Sequence, residues 1–183
     1  VCVILEEVDR LDRLVNELLN FGKHSNQVFE VFNIYEALKS VLFLLHKELS
    51  YGNIQIRQDI QDKNMVFFGD SMQFKQLFLN IIKNSIIALN RCGKENRIIN
   101  ILIYENNGNM TIRIKDNGTG IKKEDLENVF DLFFTTNREG SGLGLPVVEK
   151  IVRAHNGDIK VNSEYGDFTE IVLNFPIKKD FSE

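Results

Sequence analysis

Two asparagines, Asn80 and Asn84, stand in a stretch of leucines and isoleucines whose pattern is typical of a long helix. Because they are four residues apart, an α-helix places them on one face, one turn from each other. Asparagine is a mediocre helix former, and its carbonyl oxygen is a hard, neutral ligand suited to a Mg²⁺ ion that also carries phosphates and waters. Lys83, beside them, could reach a phosphate. The pair therefore indicates a metal site, with two ordinary surface amides as the alternative.

A second cluster, Asp116-Asn-Gly118-Thr-Gly120, directly follows a predicted strand at residues 110–115. Glycines in a tight turn let the backbone approach a flat ligand closely, and a carboxylate at the floor of such a pocket accepts hydrogen bonds from an exocyclic amine. Adenine has an amine at C6 where guanine has a carbonyl, so Asp116 could select adenine. Asp, Asn and Gly are also common turn residues, so an ordinary turn is the alternative.

A third cluster, Gly140-Ser-Gly142-Leu-Gly144-Leu145, leads into a predicted helix at residues 143–155. A glycine-rich turn before a helix offers unpaired N–H groups and the positive end of the helix dipole, which suit a phosphate. No G-x-x-x-x-G-K-[ST] occurs in the chain, so this is not a P-loop. No parallel βαβ unit surrounds the cluster, which excludes the dinucleotide fingerprint. In the polar loop before it, we expect Phe130, Phe133 and Phe134 to dock on the core.

The rest of the pattern predicts the elements that hold these clusters. Residues 1–23 are typical of one amphipathic helix with a coiled-coil seam, which either finds a partner helix or folds back on its own domain. Asp70 is predicted to cap the long helix and Gly157 to stop the last one. Irregular alternation of strands and helices predicts an α+β two-layer sandwich, with helices on one face of a mixed, mostly antiparallel sheet. We predict strands at 28–34, 54–60, 65–68, 98–104, 110–116, 158–163 and 168–175, and helices at 35–49, 71–90, 124–129 and 143–155.

The composition, 183 residues with 43% hydrophobic and 26% charged, is that of a soluble globular protein. A net charge of −4 argues against nucleic acid as the main partner. No apolar run approaches the ~20 residues that a membrane span needs, and we expect the longest, at 41–45, to be a buried helix segment. Cys2 and Cys92 lack metal-site spacing, which favours reduced residues in a cytoplasmic protein. Since the pattern starts in mid-helix, we expect a fragment of a longer protein, whose membrane anchoring stays open.

Four motifs in order, N-I-I-K-N, D-N-G-T-G, F-D-L-F-F-T-T and G-S-G-L-G-L, resemble the N, first glycine, F and second glycine boxes of sensor histidine kinases. That family belongs to the GHKL ATPase superfamily. The F segment and the following L-P-V-V-E-K-I-V-R-A-H-N-G point most closely to the nitrogen-regulation type. Residues 5–21 likewise resemble the second helix of the dimerisation and phosphotransfer hairpin.

The resemblance implies part of that hairpin at residues 1–24 and a catalytic ATP-binding domain of the Bergerat type at residues 28–179. Its ligands are ATP and Mg²⁺, with Asn84 as the Mg²⁺ ligand and Asp116 as the carboxylate that reads adenine. Residues 131–141 resemble the ATP lid, and Thr169 the threonine that helps hold adenine through water. The implied ATP-binding residues are Asn80, Lys83, Asn84, Asp116, Gly118, Gly120, Ile121, Phe133, Thr135, Thr136, Arg138, Gly140, Ser141, Gly142, Leu143, Gly144, Leu145 and Thr169.

The sequence departs from the family pattern at three places. Asn137 stands where a lysine usually follows F-F-T-T, with Arg138 as a substitute for the lost phosphate contact. The last G-x-G-T becomes Gly166-Asp-Phe168-Thr, which puts the final hairpin turn in doubt. The phosphoacceptor motif is absent, since none of the three histidines is followed by an acidic residue and an Arg-x-Pro segment; they are His24, His46 and His155.

The expected function is a kinase module that transfers the γ-phosphoryl group of ATP to a histidine absent from this chain. That histidine lies on a phosphotransfer hairpin and passes the phosphoryl group to an aspartate in a response regulator receiver domain. The parent is expected to be a homodimer, and the chain by itself to be inactive in autophosphorylation. Two alternatives are a nucleotide-dependent binding module and an ATPase that drives a clamp. The ATPase needs a glutamate upstream of the metal-binding asparagine, and residues 72–89 contain no acidic residue.

Overall fold

A computed structural model describes residues 28–137 and 140–177. The predicted helix at residues 1–23 and Arg138 lie outside the described residues, as do Cys2 and His24. Within the described ranges, none of the helices combines the length and apolar character that a bilayer span requires. In chain order the elements are β1 (Glu30–Asn33), α1 (Ile34–Leu44), α2 (His46–Tyr51), β2 (Ile54–Ile60), β3 (Val66–Gly69), α3 (Ser71–Arg91), β4 (Arg97–Asn106), β5 (Asn109–Asp116), a 3₁₀ turn (Leu126–Asn128), α4 (Gly144–Ala154), β6 (Asp158–Glu164) and β7 (Phe168–Pro176).

Five strands form the main sheet in the order β2-β4-β5-β7-β6, and β1 pairs with β3 in a separate antiparallel ribbon. β2 and β4 are parallel, whereas the other three pairs of the main sheet are antiparallel. A parallel pair needs a long crossover connection, and here the crossover runs through β3 and α3. This mixed sheet with helices packed on it confirms the predicted α+β class.

The main sheet has one apolar face and one polar face. Residues such as Ile101, Ile112 and Leu173 are fully buried and belong to the same core as the inner faces of α1, α3 and α4. On the other face, the Arg113 guanidinium donates to Glu170 Oε1 at 2.6 Å. This alternation along each strand is what a sheet covered on one side requires.

Helix α3 positions the candidate site. As predicted, Asp70 caps it, and the carboxylate accepts from the backbone N–H groups of Met72 and Gln73, both at 3.0 Å. Its apolar face lies fully in the core, so the helix is fixed along its whole length. Asn80 is half-buried and Asn84 is exposed, which places the pair at the edge of that packed face.

Three predicted elements were wrong in detail. The helix predicted at 35–49 divides at Leu45, whose φ of −88° and ψ of 4° depart from helical values. The apolar run at 41–45 is only partly buried, since Phe43 and Leu44 are 82% and 66% exposed. A helix packed on one side buries positions three and four apart, and residues 43 and 44 face away. The helix predicted at 124–129 is only the 3₁₀ turn.

The stop of α4 comes from Asn156 rather than from the predicted Gly157. Asn156 adopts a φ of +55°, and the N–H of Gly157 donates to the Val152 carbonyl at 2.9 Å, which is the Schellman pattern. Gly157 is needed for a different reason. A Cβ there would lie 2.7 Å from the carbonyl oxygen of Asn174 on β7, so only glycine lets the chain pass so close to that strand.

A buried histidine joins the C-terminal end of α4 to the N-terminal end of α3. His155 Nε2 accepts from the Asp70 N–H at 3.0 Å, and Nδ1 lies 2.8 Å from the Ile151 carbonyl oxygen. An amide N–H only donates and a carbonyl only accepts, so the ring must be neutral with its proton on Nδ1. Phe74 and Phe175 surround the ring, and burial lowers the pKa of His155.

This arrangement predicts an acid-sensitive fold. Below the unfolded pKa of about 6.5 the unfolded chain binds more protons, so the contribution of His155 is full above that pH and is lost as pH falls through the lowered folded pKa. We expect a slope of at most about 1.4 kcal/mol per pH unit from this residue. Urea unfolding measured from pH 7.5 to 5 should show that the free energy of unfolding depends less steeply on pH in His155→Gln than in the unaltered chain. Equal slopes of unfolding free energy against pH in the two proteins would contradict the buried, neutral state of His155. His46→Gln, at an exposed position, is the control.

Candidate functional site

The middle of α3 brings the asparagine pair against the start of α4. Asn80 Nδ2 donates to the Gly144 carbonyl at 3.3 Å and so links α3 to the first residue of α4. A Cβ placed on Gly144 would lie 3.7 Å from Asn84 Oδ1, so the Asn84 amide faces the first residue of α4. None of the described side chains caps α4. An amide oxygen and a helix N-terminus therefore share one surface, where a cation and a phosphate could bind together.

Asp116 lies at the end of β5 and is 3% exposed. Its Oδ1 accepts from the Gly118 N–H at 2.9 Å, and its Oδ2 accepts from the Ser85 hydroxyl at 2.9 Å. Burial raises the pKa of Asp116 to about 6, against the opposing effects of these two hydrogen bonds and of the Lys94 ammonium. The carboxylate is thus held in one orientation, and it can accept an N–H donor from a ligand.

Ser85 is a site residue that the sequence analysis did not predict. It is 4% exposed on α3, directly after Asn84, and links that helix to Asp116. The sequence does carry a signal for Ser85. It is four residues from both Ile81 and Leu89, and it places a hydroxyl group on a helix face that is otherwise apolar.

The turn after Asp116 is packed too closely for side chains. A Cβ on Gly118 would lie 2.7 Å from Ala88 Cβ, and one on Gly120, whose φ is +63°, would lie 2.0 Å from the Glu164 carbonyl oxygen. Gly166 donates its N–H to the Thr119 carbonyl at 2.7 Å. The β6–β7 hairpin, whose turn the sequence left in doubt, does form. Its turn contacts the 116–120 cluster through this bond.

Thr169 lies beside Asp116 because the two are register partners on β7 and β5. Its hydroxyl lies 3.1 Å from Ser163 Oγ, which in turn accepts from the Ile121 N–H at 2.8 Å. Two predicted residues, Ile121 and Thr169, are therefore joined through Ser163, and strand pairing places Thr169 beside Asp116.

The described part of the 131–141 loop is fastened at both ends. Phe133 was predicted to dock on the core, and this was wrong, because its side chain is 55% exposed. Its backbone, with a φ of +67°, instead donates its N–H to the Gly142 carbonyl at 3.1 Å. Thr135 Oγ1 accepts from the Asn137 N–H at 3.0 Å, and the Arg91 guanidinium at the end of α3 donates to Asn137 Oδ1. Asn137 thus ties the loop to α3. Gly140 and Ser141 lead to Leu143, which is buried, and Leu145, which packs against the core.

Gly142→Ala is expected to open this loop. The new Cβ would lie 2.4 Å from the Phe133 carbonyl carbon, at a φ of +69°, and such strain costs about 1–3 kcal/mol. Amide exchange at Phe133 should accelerate roughly tenfold or more. Gly144→Ala is the matched control, because among the described residues its Cβ would meet only Asn84, at ordinary contact distance. Similar exchange in both variants would contradict the proposed contact.

The structure brings Asn80, Asn84, Asp116 and Gly144 together around α3, whereas Lys83 and Thr136 are exposed and their roles stay predictions. Two concavities of the described residues lie away from these four residues. One of about 430 Å³ lies along β2 and β4, and one of about 60 Å³ lies beside His155.

Residues 69–179 match the family described as histidine kinase-, DNA gyrase B-, and HSP90-like ATPase. The chain belongs to this family. The matched stretch contains every predicted site residue and all three glycine and asparagine clusters. The assignment confirms the resemblance drawn from the four motifs.

Two curated proteins similar to this chain are named as kinases. Sporulation kinase C of Bacillus subtilis is 32% identical over 179 residues, 97% of this chain and 41% of that protein. Sensor histidine kinase ZraS of Escherichia coli K12 is 31% identical over 175 residues, 96% of this chain and 37% of that protein. The chain thus spans less than half the length of these curated relatives.

Solved structures give the same picture of the fold. The nucleotide-free catalytic domain of histidine kinase ThkA has a TM-score of 0.72 and 26% identity, covering 82% of this chain and 96% of that one. ThkA in complex with the response regulator TrrA has a TM-score of 0.79 and 24% identity, covering 96% of this chain and 50% of that one.

Proposed function

We propose that this chain is the ATP-binding catalytic module of a sensor histidine kinase, which transfers the γ-phosphoryl group of ATP to a histidine outside this chain. The observation that carries the proposal is the contact of α3 with all three clusters. Asn84 faces Gly144, and the next residue, Ser85, donates to Asp116. This common dependence on α3 supports a single nucleotide site made of the carboxylate, the amide and the glycine-rich turn.

Each cluster supports a different part of ATP. Asp116 would accept the adenine 6-amino group, and the uncapped N-terminus of α4 would face the phosphates. The exposed amide of Asn84 fits Mg²⁺, which prefers oxygen ligands and keeps several waters. When bound, Mg²⁺ would neutralise charge on the phosphates. The protein residues then act by positioning the nucleotide, since phosphoryl transfer needs alignment and charge stabilisation more than covalent help.

The acceptor histidine is proposed to lie on a phosphotransfer hairpin. His155 is unsuited to the role because it is buried and both ring nitrogens are engaged with the backbone. His46 begins α2, in a different element from the site, and stacks on Phe43. The proposed function includes three further points. The next partner is a response regulator receiver domain, the parent protein is a homodimer, and its location is cytoplasmic.

Phosphorylation in trans tests the proposal. The chain would be mixed with a histidine kinase hairpin and ATP labelled at the γ-phosphate, and the label should appear on the hairpin in acid-labile, base-stable form. A hairpin with its histidine replaced by glutamine is the control. Nucleotide binding without transfer to any of several hairpins would favour the binding-module alternative. Steady phosphate release without a hairpin would favour the clamp ATPase. The lack of acidic residues at positions 72–89 argues against that outcome.

A further inference from the structure

Ser85 makes an unusual use of its hydroxyl. A serine within a helix commonly satisfies its hydroxyl at the carbonyl four residues before it. Ser85 instead donates to Asp116 Oδ2 at 2.9 Å, 31 positions along the chain. The hydroxyl is buried between Ile81 and Leu89 on the core face of α3, where an unpaired polar group is costly. Its partner therefore fixes where the hydroxyl points.

Protein donors leave part of the Asp116 carboxylate open. Gly118 N–H and the Ser85 hydroxyl each bond one oxygen, and the backbone of Thr169 also hydrogen-bonds the carboxylate, whereas an ionised carboxylate offers about four acceptor positions. The remaining acceptor capacity is available to a ligand. Ser85 is the donor that comes from α3, the helix that also carries Asn84.

On the basis of the proposed function, we propose that Ser85 is a positioning residue for purine recognition, whose hydroxyl orients the Asp116 carboxylate and favours its ionised, hydrogen-bond-accepting form. The hydroxyl acts through Asp116 and not on the nucleotide itself. Loss of the hydroxyl would leave Oδ2 facing the apolar side of α3, while Gly118 would still hold Oδ1.

The charges around Asp116 make this effect measurable. Burial raises the pKa of Asp116 to about 6, and Gly118, Ser85, Lys94 and the Thr169 backbone on β7 act against that rise. Lys94, which follows α3, is itself bonded to the Asp167 carbonyl at 2.9 Å. The α3 side contributes the neutral residues Ser85 and Ala88. Removal of Ser85 should therefore raise the pKa further, into the physiological range.

The first experiment follows the Asp116 side chain without any nucleotide. The ¹³Cγ resonance of Asp116 is titrated by NMR in the unaltered chain, in Ser85→Ala and in Ser85→Thr. One hydrogen bond to a charged group corresponds to a shift of about one pH unit. We expect the midpoint of Ser85→Ala to rise by that amount and Ser85→Thr, which keeps a hydroxyl, to stay near the original value.

The second experiment measures the affinity of a non-hydrolysable ATP analogue with Mg²⁺ from pH 6 to 8.5. A one-unit rise in pKa predicts a loss of about fivefold at pH 6 and less than about twofold at pH 8.5 in Ser85→Ala. Ser85→Thr should restore the original pH profile. Ser40→Ala on α1, where the hydroxyl donates to its own helix, is the control and should match the unaltered chain throughout.

The outcomes separate this inference from the proposed function. An unchanged NMR midpoint in Ser85→Ala, or an affinity loss of equal size at every pH, overturns the role of Ser85 while ATP binding stands. If the unaltered chain binds no nucleotide, the proposed function is overturned and the purine role of Ser85 with it. If Ser85→Ala does not fold, Ser85→Cys replaces it, and its weak thiol donor should give an intermediate midpoint. A midpoint equal to that of the unaltered chain would again overturn the role.

Discussion

Asn84→Ala is expected to weaken Mg²⁺-dependent nucleotide binding by on the order of a hundredfold, about 2.8 kcal/mol. The substitution removes the exposed amide oxygen that faces Gly144 at the start of α4. It leaves the buried face of α3 unchanged and introduces alanine, the best helix former, so the fold should persist. Calorimetry with an ATP analogue, with and without Mg²⁺, measures the effect.

The pattern of the loss matters more than its size. If Asn84 acts as a metal ligand, the variant and the unaltered chain should bind the analogue alike once Mg²⁺ is replaced by EDTA. Asn100→Ala removes an amide from the polar face of the sheet and should change neither measurement. An Asn84→Ala variant with unchanged affinity in Mg²⁺ would refute the metal assignment.

Local signals predicted the elements that position the site. Asp70 followed by a long periodic segment predicted α3 as 71–90, against an observed Ser71–Arg91. Alternation predicted β2 with its observed bounds, Ile54–Ile60. Both elements carry their own pattern in consecutive residues, and an element of that kind can be read without its neighbours.

Contacts between distant residues could not be read in the same way. The bond from Asn80 to Gly144 spans 64 positions and that from Ser85 to Asp116 spans 31. The motifs named three of these four residues, but only the packing of α3 against α4 and β5 decides which atoms meet. Phe43 and Leu44 illustrate the same limit, since an apolar run does not reveal that one side of α1 lacks a described neighbour to bury it.

Asp116→Asn is expected to weaken ATP binding by roughly tenfold to a hundredfold and to reduce its preference over GTP, because hydrogen bonds to charged groups are worth about 1.5–3 kcal/mol. Gly118 N–H can only donate, so the new amide oxygen must face it. The new NH₂ group then lies where Oδ2 lay, beside Ser85, and meets the adenine amine as donor against donor. The guanine C6 carbonyl can accept from that NH₂, so GTP should lose less affinity than ATP.

The same substitution should also flatten the pH dependence of binding. In the unaltered chain, affinity for ATP should fall below about pH 6 as Asp116 becomes protonated, since burial raises its pKa to about 6. The amide introduced by Asp116→Asn cannot titrate, so the ratio of the two affinities should narrow as the pH is lowered from 7.5 to 5.5. Competition between ATP and GTP analogues at both pH values measures selectivity and titration together. If Asp116→Asn prefers ATP over GTP as strongly as the unaltered chain does, Asp116 does not contact the purine base and another group recognises it.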